Sequence, residues 1–145
     1  MNILVGIGNE MKGDDAVGIH IARKFREDGW ITIDCATVPE NYAGKVIGYE
    51  PEKIVIVDAA DMGLKPGEIR RIPKDKMGRA SFSTHSLPLS IFISHLERQT
   101  NAEIVVVGIQ PKSMYGEMSK EIKNAAERVI DYLKKGELEK IEELK

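Results

Sequence analysis

Short apolar runs alternate with amphipathic stretches along this chain, and this alternation constrains the fold more than any other feature. Three runs, at residues 3–7, 53–57 and 103–107, are rich in Ile and Val, and each is followed by Gly or Asp. Such runs are typical of strands that are buried on both faces of a sheet. Helical connections between them imply a parallel sheet. The sequence therefore predicts a three-layer α/β fold, in which a mostly parallel sheet has helices on both faces.

The stretches between the strands carry apolar residues at helical spacing. Helices are predicted to begin near Asp14 and near Ser86, with Pro88 in the first turn of the latter. A weaker amphipathic stretch begins at Pro39. The best-patterned helix follows Ser119, which we expect to cap it. Its apolar stripe consists of Ile122, Ala125, Ala126, Val129, Ile130 and Leu133.

Three less marked segments complete the predicted order. Residues 30–33 form a second short strand, and Ile69 and Ile72 mark an edge strand that follows a turn at residues 65–67. The charged tail, residues 137–145, is either a terminal helical turn or a frayed end.

Composition excludes several classes of protein. The 21 basic and 23 acidic residues leave a net charge of −2, so the chain has no electrostatic footprint for nucleic acid. The N-terminus looks like a first strand, not a signal peptide, and no apolar run approaches the roughly 20 residues of a membrane span. The single cysteine, Cys35, forms no internal disulfide, which favours a reducing compartment. We expect a monomer in the cytoplasm, with no nucleic-acid or membrane partner.

Acidic residues follow two of the predicted strands. In open α/β sheets the functional site lies beyond the carboxyl ends of the strands. Asp15 ends the loop after the first run, Asp58 directly follows the third strand, and His85 precedes a predicted helix. If these segments converge, the three side chains offer two carboxylates and one imidazole. Such a set suits a divalent metal with open coordination positions, and nickel, zinc, iron and manganese all fit.

Each of these residues also has a purely structural interpretation. Asp14 and Asp15 are suited to the N-cap and first turn of a helix. Asp58 could form a turn, and His85 could be an exposed loop residue. A ligating imidazole needs an acceptor for its second nitrogen, and Asp14 and Asp61 are the candidates for that contact.

Four segments of the chain have distinctive motifs: residues 8–18 (GNEMKGDDAVG), 57–70 (VDAADMGLKPGEIR), 84–89 (THSLPL) and 108–111 (GIQP). Together they resemble the signatures of the hydrogenase maturation endopeptidases. All four occur in the order that the family has. The resemblance is strongest to the branch that processes the large subunit of hydrogenase 3, the formate hydrogenlyase type.

The resemblance implies an endopeptidase in which residues 1–145 form a single hydrogenase maturation protease domain. Its members remove the C-terminal extension of the [NiFe]-hydrogenase large-subunit precursor after nickel insertion. The metal ligands of the family fall on Asp15, Asp58 and His85. The nickel is expected to be the ion already in the substrate, with none tightly bound by the protease. Neither the motifs nor the resemblance identifies a general base.

Two other functions fit part of the pattern. A phosphoacceptor receiver domain would use Asp14, Asp15 and Asp58 with Thr84 and Lys112. However, the acidic pair here follows a long glycine-bearing loop, and the lysine follows a proline instead of preceding it. A non-catalytic metal-binding maturation chaperone would share nearly all the residues of the protease.

Overall fold

A central β-sheet organises the fold. The structure is a computed structural model that describes residues 1–82 and 87–145. Within those residues the strands are β1 (Asn2–Gly6), β2 (Trp30–Asp34), β3 (Lys53–Asp61), β4 (Ile69–Arg71), β5 (Ser81–Phe82) and β6 (Glu103–Ile109). The α-helices are α1 (Val17–Lys24), α2 (Ala43–Gly48), α3 (Leu89–Gln99) and α4 (Lys120–Lys135).

The strand order confirms the predicted α/β fold. The strands lie in the order β2-β1-β3-β6-β4, and β5 pairs with the end of β3. β2, β1, β3 and β6 are parallel, whereas β4 is antiparallel to β6 and β5 is antiparallel to β3. β2 lies beside β1 on one side, and β3, the next strand along the chain, lies beside β1 on the other side. The crevice at the carboxyl ends of β1 and β3 is therefore the topological switch point, where such folds bind ligands.

The two faces of the sheet have separate cores. Alternate residues of a strand point to opposite faces. Ile3 of β1 and Ile54 of β3 pack with α2 and α3 on one face. Leu4 and Val55 pack with α1 and α4 on the other. Burying one such side chain contributes about 1.5–3 kcal/mol, so both layers stabilise the sheet.

Helix α1 approaches the sheet most closely at Gly18. A Cβ atom at this position would lie less than 3.0 Å from the carbonyl oxygens of Ile7 and Val57. Only glycine fits between the helix and these two strands. The contact places the start of α1, and the 3-10 turn Gly13–Ala16 before it, at the ends of β1 and β3.

The prediction that the third strand ends at Val57 is wrong. β3 continues to Asp61 because its last residues find partners on neighbouring strands. Asp58 pairs with Gly108 of β6, and Ala60 pairs with Phe82 of β5. For the same reason β6 passes through Gly108 and ends at Ile109, beyond its predicted end.

The predicted helices are present with shifted starts. The whole predicted stripe of α4 is buried, and the helix ends at Gly136 in the left-handed conformation. The first helix begins at Val17, after a 3-10 turn. α3 begins at Leu89 with Pro88 at its N-cap, so the proline precedes the first turn instead of lying in it. The predicted start near Ser86 lies outside the described residues.

The C-terminal tail covers the open edge of β4. The amide of Arg71 donates to the carbonyl of Glu142 at 2.9 Å, and the amide of Leu144 donates to the carbonyl of Arg71 at 2.8 Å. Leu138, Ile141 and Leu144 are buried. The tail is therefore not frayed; it contains a short 3-10 turn, Leu138–Lys140, and then protects an edge strand. No helix in the described part of the chain is long and apolar enough to cross a membrane.

The contact at Gly18 generates a prediction about stability. Gly18→Ala should lower the free energy of unfolding by about 1–3 kcal/mol, because the added methyl group meets two backbone oxygens that cannot move aside. Gly44→Ala is the matched control, since a Cβ at this helical glycine meets nothing within 4 Å among the described residues. It should raise the free energy of unfolding by about 0.5–1 kcal/mol. Urea unfolding measures both, and an equal effect at the two positions would contradict the argument.

Candidate active site

Asp15 lies nearly buried in the Gly13–Ala16 turn, at the carboxyl end of β1. Only 2% of the residue is exposed, and its Oδ1 atom has no hydrogen-bond partner within residues 1–82 and 87–145. A buried carboxylate oxygen without a partner is costly, so such groups are rare outside functional sites. This oxygen is available to a ligand.

Asp58 lies beside the same crevice. It is fully buried in β3, one residue after Val57, which pairs with Gly6 at the end of β1. The amide of Ile7 donates to the carbonyl of Val57 at 3.0 Å, so the loop that carries Asp15 leaves the sheet next to Asp58. The Gly13–Ala16 turn also contacts β3. Both predicted acidic residues therefore lie at the switch point between β1 and β3.

The third predicted ligand, His85, lies outside the described residues. Phe82, three residues earlier in the sequence, pairs with Ala60, which is two residues beyond Asp58. Among residues 1–82 and 87–145, no group of three or more His, Cys, Asp or Glu side chains is placed to hold a metal ion.

Asp14 has a structural role that the sequence did not reveal. Its carboxylate is fully buried and accepts four hydrogen bonds from the loop after β6. Oδ2 accepts from the amides of Lys112 and Ser113, both at 2.8 Å, and from the hydroxyl of Ser119 at 2.9 Å. Oδ1 accepts from the amide of Ser119 at 2.6 Å. Hydrogen bonds to a charged group are the strong ones, so Asp14 fastens the two loops together.

The interpretation of Asp14 as the N-cap of the first helix is therefore wrong. Lys12 occupies the N-cap of the 3-10 turn, and the Asp14 side chain points to another part of the chain. Ser119 is the N-cap residue of α4 as predicted, although its hydroxyl bonds to Asp14 and not to an amide of its own helix.

Asp61 is exposed, and its carboxylate bonds to the amide of a local turn and to the side chain of Gln110. Its Oδ1 atom accepts from the amide of Gly63 at 3.1 Å and from Nε2 of Gln110 at 3.2 Å. These two hydrogen bonds lower the pKa of the Asp61 carboxyl, because they favour its charged form. Oε1 of the buried Gln110 accepts from the amides of Met62 and Leu64. Sequence reasoning missed this role of Gln110, although the segment at residues 108–111 was singled out.

The surroundings of two other side chains, Cys35 and His20, do not favour a role in catalysis. Burial raises the pKa of the Cys35 thiol to about 12, and the charge of Asp34 acts in the same direction. A thiol of this kind carries very little thiolate near neutral pH, so it is not a nucleophile. Burial also lowers the pKa of His20 on α1, and the charge of Lys24 adds to this effect. Cys35 and His20 therefore lie in the settings of structural residues.

The chain is therefore an α/β protein with a buried acidic pair at the switch point of its sheet. This is a candidate site for catalysis or metal binding. The model of the hydrogenase maturation protease family, of the HycI type, matches residues 16–135. Hydrogenase 3 maturation protease of Escherichia coli is 37% identical over 138 residues, which cover 91% of this chain and 88% of that protein. The chain therefore belongs to the hydrogenase maturation protease family and is a protease.

Solved structures show the same fold. The crystal structure of the Hydrogenase 3 maturation protease superposes with a TM-score of 0.90 at 35% identity, covering 100% of this chain and 97% of the other. The [NiFe] hydrogenase maturation protease HycI from Thermococcus kodakarensis KOD1 has a TM-score of 0.82 at 34% identity, covering 94% and 91%. The resemblance of the four sequence segments to this family is confirmed.

Family membership also overturns the two other functions. The chain belongs to a family of proteases, so the receiver interpretation is wrong, and so is that of a non-catalytic chaperone. In the structure the ammonium group of Lys112, the proposed receiver lysine, pairs with Glu121 at 2.8 Å. Thr84, its proposed hydroxyl residue, lies outside the described residues.

The two adjacent acidic residues should respond differently to the same substitution. Asp14→Asn should lower the free energy of unfolding by about 1.5–3 kcal/mol, because the amide group brings donors to a place where four donors already converge. Asp15→Asn is the matched control, equally buried but with an unpaired Oδ1. It should leave stability unchanged or raise it, since it removes a buried charge. Urea unfolding at neutral pH distinguishes the variants, and a larger loss at Asp15 would refute these roles.

Proposed function

We propose that this chain is the nickel-dependent endopeptidase that removes the C-terminal extension of a [NiFe]-hydrogenase large-subunit precursor. The observation that carries the proposal is the buried acidic pair, Asp15 and Asp58, at one crevice of the sheet. The printed name of the Escherichia coli relative, a maturation protease of hydrogenase 3, supports a hydrogenase as the client.

The proposed metal ligands are Asp15, Asp58 and His85, and the metal is the nickel already in the substrate. Two carboxylates and one imidazole suit a borderline divalent ion. Three ligands from the protease leave coordination positions for the groups of the client. The protease then needs no metal of its own, and a precursor without nickel presents nothing for the three side chains to coordinate. Recognition of the metal would thus act as a checkpoint.

The proposed reaction is hydrolysis of one peptide bond. A water oxygen attacks the scissile carbonyl carbon, the C–N bond breaks, and the leaving nitrogen takes up a proton. Nickel in the substrate positions the precursor tail, and a metal ion can also polarise a carbonyl or lower the pKa of a bound water. Nickel held between the buried Asp15 and Asp58 would lie where little bulk water screens its charge.

The proposed role of His85 is tested by substitution. His85→Ala should abolish cleavage of nickel-loaded precursor, because it removes the imidazole ligand, while the free energy of unfolding stays close to that of the wild type. His95→Ala on α3 is the matched control and should retain cleavage. Cleavage is followed by the mobility shift of the precursor on gels. Full processing by the His85 variant would contradict the assignment.

The nickel requirement is tested on the substrate. Purified precursor without nickel should remain uncut by the wild-type protease, and the same preparation should be cut after it is loaded with nickel. The control is the mature large subunit, which lacks the extension and should stay unchanged. Efficient cleavage of the nickel-free precursor would remove the checkpoint and leave the peptidase activity in place.

A further inference from the structure

Two large apolar side chains near the acidic pair are almost fully exposed. Met11 is 84% exposed and Tyr115 is 87% exposed. The other exposed large apolar residues among those described, such as Ile91 at 49%, keep about half of their surface covered. Single exposed apolar residues are ordinary, so these two indicate an interaction surface only if they lie close to one another.

The two side chains belong to loops that touch. Gly13 lies against the loop after β6, where a Cβ atom would be 2.8 Å from the carbonyl oxygen of Ser113 and from both N and O of Tyr115. The amide of Asp14 also donates to the carbonyl of Ser113 at 2.9 Å. Met11 is two residues before Gly13, and Asp15 is two residues after it. We call Met11 and Tyr115 together the apolar rim.

The backbone that carries the apolar rim is held by hydrogen bonds. The amide of Met11 donates to Oδ1 of Asn9 at 2.9 Å, and the amide of Tyr115 donates to Oγ of Ser113 at 3.1 Å. The four bonds of Asp14 fasten the two loops to each other. The backbone of the rim is therefore held in place before a partner arrives, which reduces the entropy lost on binding.

The charges next to the rim balance one another. Glu10 pairs with Arg23 at 2.6 Å, and Lys112 pairs with Glu121 at 2.8 Å. The two remaining charges, Lys12 and Glu117, are opposite in sign. The surface around the rim therefore has little net charge and gives little electrostatic steering, so apolar contacts are left to hold the partner. Tyr is enriched at the energetic centres of interfaces, and Met adapts its shape to irregular apolar surfaces.

We propose that the apolar rim is the docking surface for an apolar segment of the hydrogenase precursor. This inference rests on the proposed function, because it takes the same precursor as the occupant. Asp15 is nearly buried. It is four residues after Met11, on a turn that lies against the backbone of Tyr115, so a client that delivers a metal ion to it must pass close to both side chains. The rim supplies affinity for the client, and the acidic pair contacts the metal.

The test measures binding of nickel-loaded large-subunit precursor by isothermal titration calorimetry. The double variant Met11→Ala/Tyr115→Ala should weaken the Kd by about tenfold or more, because it removes both apolar contacts. In cleavage assays its KM should rise while kcat stays near the wild-type value. Its thermal midpoint should not change, since both side chains are exposed.

Tyr49→Ala is the matched control. Tyr49 is also exposed, at 40%, but it follows α2 at the amino end of β3, away from the acidic pair. This variant should bind and cleave like the wild type. An equal loss of affinity in the Tyr49 variant would show that the effect is not local and would overturn the proposal.

The remaining outcomes separate the docking surface from the proposed function. An unchanged Kd in the rim variant, with cleavage by the wild type, overturns the docking surface and leaves the function standing. Rim-dependent binding without cleavage by the wild type overturns the function and keeps the surface. A second copy of this chain is the competing occupant. A dimer seen by sedimentation that the rim substitutions abolish, with an unchanged Kd for precursor, would identify the rim as a self-association surface and refute the proposal.

Discussion

The approach of α1 to the sheet at Gly18 is the contact on which the site depends. Because residue 18 has no side chain, the helix rests directly on the carbonyl groups of Ile7 and Val57. This contact brings the Gly13–Ala16 turn to the ends of β1 and β3, so Asp15 and Asp58 come to lie at the same crevice. A larger residue would push the turn away from the sheet. The geometry of the acidic pair is thus set by packing at a residue that takes no part in the chemistry.

Asp14 and Asp15 show how two identical neighbouring side chains acquire opposite roles. Asp14 accepts four hydrogen bonds and joins the loops after β1 and β6, whereas Oδ1 of Asp15 has no partner in the described part of the chain. Asp14 thus offsets the cost of its burial within the protein, whereas no described residue offsets the cost of burying Oδ1 of Asp15. Fastening of the loops and the proposed metal contact are therefore divided between consecutive residues.

Much of the fold followed from periodicity, and what failed depended on distant partners. The stripe of α4 and the parallel core strands were predicted because each pattern is local. The ends of β3 and β6 were not, because Asp58 and Gly108 resemble strand stops and only their mutual pairing shows otherwise. The order of the elements in the sequence was enough to predict that Asp15 and Asp58 lie at the carboxyl edge of the sheet. It could not reveal that Asp14 bonds to residues about 100 positions later, nor that Tyr115 would lie beside the loop of Met11.

If this protease recognises its client through the metal, as proposed, the docking surface and the metal contact place opposing demands on it. Specificity for the loaded precursor is a difference between two affinities, and contacts that both forms share contribute nothing to it. A large apolar surface would hold the nickel-free precursor as well, so unloaded clients would occupy the enzyme. Among residues 1–82 and 87–145, the proposed rim offers only Met11 and Tyr115 as nearly fully exposed apolar groups beside the crevice. Such a small surface gives modest affinity, so in the proposed function the contact between nickel and the buried carboxylates would decide whether the client stays long enough to be cut.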